Sequence, residues 1–92
     1  MGAMGKPTLS IEYCTVCNFR GRAAWLAQEV LTTSESDLAG VVLVPGRGGV
    51  FEVRIDGDLV FSRRDAGRFP EPREIKDAVR AALGQEPAPR HD

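Results

Sequence analysis

Two cysteines three positions apart constrain this chain more than any other feature of its sequence. Cys14 and Cys17 are the only cysteines among the 92 residues. The residues before them, Thr8 to Tyr13, alternate polar and apolar side chains as a β-strand does, and the residues after them repeat apolar side chains at helical spacing. The pattern therefore predicts that the pair lies where a strand ends and a helix begins.

A turn between a strand and a helix favours a reactive thiol. The unpaired N–H groups at the start of a helix and the helix dipole both stabilise a thiolate, which is the nucleophilic form of cysteine. Cys14 ends the predicted strand, so we expect solvent to reach it, whereas Cys17 is expected inside the first helical turn and partly covered. On position alone, the sequence predicts that Cys14 attacks a substrate and that Cys17 resolves the product.

The overall composition limits the classes of protein that the chain can belong to. Hydrophobic residues make up 42% and charged residues 27%, which is enough for one compact domain with one core. The net charge is -1 and no helix carries a basic face, so nucleic-acid binding is not expected. No stretch resembles a signal peptide or a membrane span, so we expect a cytoplasmic protein with no membrane partner.

The predicted domain covers residues 8–84. Residues 1–7 are interpreted as a cloning remnant followed by a disordered N-terminus. Residues 85–92 are rich in proline, alanine and charge, have nothing to bury, and are predicted to be a disordered tail.

The first half of the domain is predicted to be a strand, a helix and a second strand. The helix should run from Thr15 or Phe19 to Leu31, with Trp25 at the edge of its buried stripe, and residues 32–37 have the polar composition of a loop. The run Leu38 to Val44 is almost continuously apolar, which indicates a central strand covered on both faces, so that a charge at Val42 would unfold the domain. A parallel crossover should pair this strand with the first one. The predicted stripe consists of Phe19, Ala23, Leu26, Ala27 and Val30.

The second half is predicted to be a hairpin, a loop and a final helix. A glycine-rich turn, 45–49, ends the second strand, and the alternation from Val50 to Ile55 followed by Asp56-Gly57 is typical of a two-residue hairpin. Residues 63–72 are predicted to be a polar loop. A helix over 74–83 should follow, with Pro72 in its first turn and Gly84 at its C-cap.

The resulting order, β-α-β-β-β-α with CxxC after the first strand, resembles the selenoprotein W-related (Rdx) family over residues 8–84. Three stretches carry the resemblance: Tyr13-Cys14-x-x-Cys17, then Gly48-Gly49-Val50-Phe51-Glu52-Val53 with the Asp56-Gly57 turn, and Arg63 through Gly67-x-Phe69-Pro70. The resemblance implies an α/β (α+β) thioredoxin-like fold with a four-stranded mixed sheet. It also implies a thiol–disulfide oxidoreductase that is linked to glutathione and has an antioxidant role.

The chain departs from the wider pattern at two places. Members of the family often carry selenocysteine at the second redox position, where this chain has Cys17, which implies a cysteine-only, prokaryote-type member whose second group is less reactive than a selenol. The same placement favours Cys17 as the attacking group, whereas position alone favours Cys14. Thioredoxins in the wider sense hold a cis-proline opposite their cysteines, whereas here Gly48 and Gly49 precede Val50. We therefore expect substrates to be held differently from the way thioredoxin holds them.

Five residues besides the cysteines are predicted to contact substrate: Arg20, Gly48, Gly49, Phe69 and Pro70. Arg20, like Arg22, follows the thiols by one to two helical turns, where it would either meet the carboxylates of glutathione or simply be solvated. Gly46, Gly48 and Gly49 are interpreted as turn and close-approach residues, because a nucleotide-binding loop would need a lysine and a hydroxyl. Phe69 either seats its loop or offers an exposed apolar contact.

Other interpretations of the cysteines stay open at this point. Two thiols and a single histidine, His91, are too few for a structural zinc site, unless two chains share four thiols, and the thiols could also be inert. No cofactor is predicted, and glutathione or a redox protein is the expected partner, with a weak homodimer as an open alternative. In the alternative function, oxidation of the cysteines changes the loop at Phe69-Pro70, and a partner protein binds one redox state without turnover.

Overall fold

The alternating segment that precedes the cysteines becomes the centre of a four-stranded sheet. The computed structural model describes residues 5–85, so the predictions for residues 1–4 and 86–92 lie outside it. Pro7 is buried and its carbonyl accepts a hydrogen bond from the Ala39 N–H, so ordered packing begins just before the predicted Thr8. The elements are β1 (Thr8–Cys14), α1 (Arg20–Ser34), β2 (Gly40–Gly46), β3 (Phe51–Ile55), β4 (Asp58–Ser62), α2 (Arg63–Ala66) and α3 (Pro72–Ala82).

The sheet is mixed and has the strand order β2-β1-β3-β4. Helix α1 connects β1 to its parallel neighbour β2, as predicted, while β3 runs antiparallel to both β1 and β4. Within the part of the chain that the structure describes, no helix is long and apolar enough to cross a membrane.

The core lies on one face of this sheet. Alternate residues of β1 and β3 point to that face, where α1 and α3 cover them. On the opposite face, polar side chains occupy the two central strands, β1 and β3, and Arg54 forms ion pairs there with Glu12 at 3.7 Å and Glu52 at 3.1 Å. The buried apolar side chains from these four elements are Leu9, Ile11, Tyr13, Ala23, Leu26, Val30, Phe51, Val53, Ile55, Ile75 and Val79.

The prediction that the second strand is central and covered on both faces is wrong. Strand β2 lies at the edge of the sheet, and the side chains of Val42 and Val44 are 48% and 37% exposed. Val41 and Leu43 do pack against the core, because they face the helices. Both long helices lie on the same side of the sheet, so every second residue of β2 has no layer above it. Pro45 fits an edge strand, since proline has no N–H to donate to a second neighbour.

Helix α1 is longer at its C-terminus than predicted. It continues to Ser34 and passes into a 3₁₀ turn at Glu35–Asp37, where the sequence was interpreted as a loop. The Thr32 hydroxyl donates to the Gln28 carbonyl at 2.8 Å, so this polar side chain is satisfied inside the helix. Trp25 is 53% exposed, which confirms that it lies off the buried stripe.

The hairpin and the last helix agree with the sequence, whereas the loop between them contains an unpredicted helix. Asp56 and Gly57 have φ angles of 51° and 88°, as a two-residue hairpin turn requires. The four-residue helix α2 starts where the Ser62 hydroxyl accepts the Asp65 N–H, and it ends at Gly67. Helix α3 begins with Pro72 in its first turn, as predicted, and Gly84 follows its end with φ 76°.

Candidate redox site

Cys14 and Cys17 form a disulfide at one end of the sheet. Cys14 is the last residue of β1, Cys17 lies in the turn 15–18, and their Cα atoms are 5.3 Å apart. This separation is within the usual range for a disulfide, about 4.4–6.8 Å. The structure therefore places the two predicted redox residues together, in an intramolecular pair.

Backbone hydrogen bonds hold this turn against the loop that follows β2. The Cys14 N–H donates to the Val50 carbonyl at 2.8 Å, and the Thr15 N–H donates to the Gly46 carbonyl at 3.1 Å. The Phe19 N–H donates back to the Cys14 carbonyl at 3.3 Å, which closes the turn over the end of β1. The Cys14 side of the disulfide is thus tied to backbone that is more than 30 positions further along the sequence.

The exposures of the two cysteines are the reverse of the prediction. Cys14 is 0% exposed, whereas Cys17 is half-buried and its neighbour Val16 is 87% exposed. The turn folds back over Cys14, and helix α1 begins only at Arg20, so Cys17 lies ahead of the helix instead of inside its first turn. Solvent and substrates therefore have better access to Cys17.

The glycine-rich loop beside the disulfide contains two kinds of glycine. Gly48 and Gly49 have φ angles of 71° and 76°, and a Cβ atom on either one would meet no other heavy atom within 4 Å. A Cβ at Gly46 would lie 2.7 Å from the Glu12 Oε2 and 2.8 Å from the Val50 Cγ1. Gly46 is therefore the close-approach glycine among the three that the sequence indicated, while Gly48 and Gly49 provide the turn and leave open space beside it.

Three phenylalanines pack edge to face next to the turn, and we call them the aromatic cluster: Phe19, Phe51 and Phe69. The Phe69 ring centroid lies 5.0 Å from that of Phe19 and 5.2 Å from that of Phe51. Pro70 is buried. Of the two predicted roles for Phe69, the structure therefore shows the one in which it seats its loop. Direct contact of Phe69 or Pro70 with substrate stays a prediction.

Arginines surround the aromatic cluster. The guanidinium carbon of Arg22 lies 4.1 Å from the Phe69 ring centroid, and that of Arg63 lies 5.0 Å from Phe69 and 5.2 Å from Phe19. Arg20, the arginine that was predicted to bind substrate, is exposed at the first position of α1. Arg63 was missed, because in the sequence it belongs to a polar segment whose position beside the first helix is set only by the fold.

A bidentate ion pair fixes the loop that carries Phe69. The two terminal nitrogens of Arg68 donate to the two carboxylate oxygens of Glu74, each at 2.7 Å, and one of them also donates to the Phe69 carbonyl at 3.1 Å. The hydrogen bond from Arg68 is the main reason that the pKa of Glu74 falls to about 2, and the same bond raises the pKa of Arg68. The loop is thereby fastened to the start of α3.

In residues 5–85 no three His, Cys, Asp or Glu side chains lie close enough together to hold a metal ion. His91, considered in the zinc interpretation, falls outside these residues.

Comparison with known proteins gives one consistent family. A profile of the Rdx family matches residues 8–81. Proteins named migration and invasion enhancer 1 from Mus musculus and Bos taurus are each 34% identical over 79 residues. The match covers 84% of this chain and 65% of each relative, so the chain spans about two thirds of the length of these relatives.

Two solved structures are similar along almost their entire length. A Bordetella parapertussis protein is 46% identical with a TM-score of 0.80, and the match covers 85% of this chain and 99% of that one. A selenoprotein W-related protein from Vibrio cholerae is 38% identical with a TM-score of 0.82, covering 86% of this chain and 99% of that one. The thioredoxin-like fold expected from the sequence is thereby confirmed.

Proposed function

This chain belongs to the Rdx family, and we propose that it is a thiol–disulfide oxidoreductase whose reactive groups are Cys14 and Cys17. The observation that carries the proposal is the disulfide itself, which joins the only two cysteines and leaves one of them half-exposed at the surface. A redox disulfide needs one cysteine that a partner can reach, and Cys17 meets this requirement.

In the proposed reaction the reduced pair transfers two electrons to a substrate disulfide. The Cys17 thiolate attacks one substrate sulfur, forms a mixed disulfide and releases the other half of the substrate as a thiolate. Cys14 then attacks the Cys17 sulfur, which releases the second half and forms the Cys14–Cys17 disulfide. The two protons of the dithiol pass to the two released thiols, so atoms and electrons balance.

An external thiol must restore the dithiol, and glutathione is the reductant that we propose. Two glutathione molecules would supply the two electrons and leave as glutathione disulfide. The cycle needs a reducing compartment such as the cytoplasm, where it would serve an antioxidant role. Arg20, Gly48 and Gly49 border the same end of the sheet, and the open space beside the two glycines supports an approach of substrate backbone there.

Turnover distinguishes this function from a redox-sensitive interaction module. In the presence of glutathione, glutathione reductase and NADPH, a catalytic amount of the protein should reduce many equivalents of a small disulfide, and Cys17→Ser should abolish this activity. Reduction of one equivalent only would support the interaction module and contradict the proposal. The loop mechanism of that module has lost support, because Phe69 packs in the aromatic cluster and Pro70 is buried.

The reduction potential is a second, independent measurement. A reductase role predicts a value between those of thioredoxin and glutaredoxins, about -270 to -200 mV. Equilibration of the protein with glutathione redox buffers, followed by quantification of the free thiols, gives this value directly.

A further inference from the structure

Two guanidinium groups contact the aromatic cluster, and they come from two helices that are distant in the sequence. Arg22 comes from the first turn of α1 and Arg63 from the start of α2. Both contact the ring of Phe69, with the guanidinium carbon of Arg22 4.1 Å and that of Arg63 5.0 Å from its centroid. Two like charges on one ring repel each other, and a bound anion would relieve this repulsion.

Neither guanidinium group is neutralised by the protein. Among the described residues, no carboxylate lies within ion-pair distance of Arg22 or Arg63, and neither side chain donates a hydrogen bond. Two other arginines behave differently, since Arg54 is paired with Glu12 and Glu52, and Arg68 is paired with Glu74. The net charge of the chain is -1, so two unpaired arginines on one ring make this part of the surface locally positive.

Contact with an aromatic ring holds a guanidinium group in place while its N–H donors stay available at its edge. Arginine binds carboxylates through two parallel N–H···O bonds, so a positioned and unpaired guanidinium group is suited to bind this anion. The cost of ordering the side chain is reduced, because the ring already restricts it.

The arginine pair adjoins the disulfide. Phe19, which Arg63 contacts, comes two residues after Cys17, and its N–H is bonded to the Cys14 carbonyl at 3.3 Å. Phe51, the third ring, follows Val50, whose carbonyl accepts the Cys14 N–H at 2.8 Å. A small molecule whose sulfur reacts at the turn can therefore extend along the aromatic cluster toward these arginines.

We propose that Arg22 and Arg63 bind a carboxylate of the substrate, so that the protein prefers small disulfides with a carboxylate a few bonds from the sulfur. This inference rests on the proposed oxidoreductase function and names its substrate class. The chemical step is the exchange described above, in which Cys17 forms the mixed disulfide and Cys14 resolves it, and the arginines only position the anion.

Three disulfides of matched size test this preference: dithiodipropionate, which carries two carboxylates, hydroxyethyl disulfide, which is neutral, and cystamine, which carries two ammonium groups. The second-order rate constant for oxidation of the reduced protein is measured with each. We expect Arg22→Gln and Arg63→Gln each to lower the rate constant for dithiodipropionate by about tenfold, the loss expected for a charge-assisted hydrogen bond. The rate constant for hydroxyethyl disulfide should change by less than about twofold.

Arg64→Gln is the matched control, since it removes the same charge from the same short helix at an exposed residue that does not contact the aromatic cluster. It should leave the ratio of the rate constants for dithiodipropionate and hydroxyethyl disulfide nearly unchanged. Near-ultraviolet circular dichroism checks that each variant is folded. If Arg63→Gln does not fold, Arg22→Gln tests the inference alone, because Arg22 is an exposed side chain.

The result that would overturn the inference is an equal loss of rate with all three disulfides, or a loss in Arg64→Gln as large as that in Arg22→Gln. Each rate constant is divided by that of the same disulfide with a small free thiol, which corrects for the leaving group. Equal corrected values for the unmodified protein with the three disulfides would also overturn the inference, yet leave the oxidoreductase function intact. A reduced protein that reacts with none of them would contradict the proposed function itself.

Discussion

At the scale of single residues, the two cysteines differ in what can reach them. Cys14 is enclosed by the end of β1, the turn that folds over it and the backbone of Val50, whereas Cys17 lies in the turn beside the exposed Val16. An attack on an external disulfide needs an accessible sulfur, and the resolving step needs only a sulfur near the mixed disulfide. Burial of Cys14 is compatible with the second role alone.

Single-cysteine variants test this assignment. We expect the thiol of Cys17, the one left in Cys14→Ser, to react with iodoacetamide at least about tenfold faster than the thiol left in Cys17→Ser, because access controls the rate at a fixed pH. Mass spectrometry of timed samples gives both rates. Denatured samples of the two variants are the control, and their rates should converge. Faster labelling of Cys14 in the folded state would reverse the roles.

The sequence predicted which residues form this site, but it did not predict how exposed each cysteine is. Spacing and pattern were enough to place Cys14 and Cys17 at the end of a strand. The exposures depend on the hydrogen bonds from Cys14 to Val50 and from Thr15 to Gly46, and these join segments that are distant in the sequence. No local sequence pattern predicts these long-range hydrogen bonds. The family resemblance favoured Cys17 as the reactive residue, and this agrees with the exposures in the structure.

At the scale of secondary-structure elements, periodicity identified the strands and did not identify their neighbours. The alternation of β3 correctly predicted one buried face, because polar and apolar residues differ along it. The run Val41-Val42-Leu43-Val44 is apolar on both sides, and this made an edge strand look like a central one. Helix α2 is too short, with four residues, to show any helical period.

The edge position of β2 gives a prediction opposite to the one made from the sequence. Val42→Asp should leave the domain folded, because this side chain is 48% exposed and a surface change in a strand costs at most about 1 kcal/mol. Val53→Asp is the comparison, since Val53 is 0% exposed and a buried unpaired charge should unfold the domain. Circular dichroism and thermal unfolding distinguish the two. An unfolded Val42→Asp variant would mean that another layer covers this face.

The start of helix α3 should make stability sensitive to acid. The pKa of Glu74 is about 2 in the folded protein, against an ordinary value of 4.5, mainly because of the hydrogen bond from Arg68. A lowered pKa contributes stability above the unfolded-state value, and this contribution is lost as the pH falls from 4.5 to about 2. The side chain is 38% exposed, so solvent screening limits the pair to less than about 1 kcal/mol.

Glu74→Gln should therefore lower the free energy of unfolding slightly at neutral pH and flatten its decrease between pH 4.5 and about 2. The amide oxygen of glutamine can still accept the Glu71 N–H, so the helix cap is largely kept. Denaturant titrations at several pH values measure both effects. Glu35→Gln, at an exposed glutamate without an ion-pair partner in residues 5–85, is the control. If the free energy of unfolding of Glu74→Gln falls between pH 4.5 and about 2 as steeply as that of the unmodified protein, the ion pair with Arg68 does not stabilise the fold.

At the scale of the whole molecule, the fold brings three distant segments to one end of a sheet that has a single covered face. Residues 14–19 supply the disulfide and a ring, residues 46–51 supply the loop that supports it, and residues 63–70 supply the second arginine and the central ring. The ion pairs of Arg54 lie on the other face of the sheet, where Glu12 also packs against Gly46 of the supporting loop. The turn that holds the cysteines therefore packs against the same segments that form the core, so the oxidation state of the cysteines should affect the stability of the domain.

This link predicts how stability responds to oxidation. The disulfide closes a loop of only four residues, so it restricts the unfolded chain modestly, and the oxidised form should be more stable by about 2 kcal/mol. For a domain of this size the melting temperature should rise by roughly 8–16 °C on oxidation. Thermal unfolding with and without a dithiol reductant measures the shift, and a Cys14→Ser/Cys17→Ser variant should show none.

The sign of that shift bears on the direction of the reaction. Because folding and reduction form a thermodynamic cycle, a disulfide that stabilises the fold is harder to reduce in the folded protein than in the unfolded chain. The folded dithiol is then the better reductant, as the proposed function requires. A reduced form that melts at a higher temperature than the oxidised form would mean the reverse, since a stabilised dithiol makes the pair an oxidant. The protein would then introduce disulfides into its substrates instead of removing them.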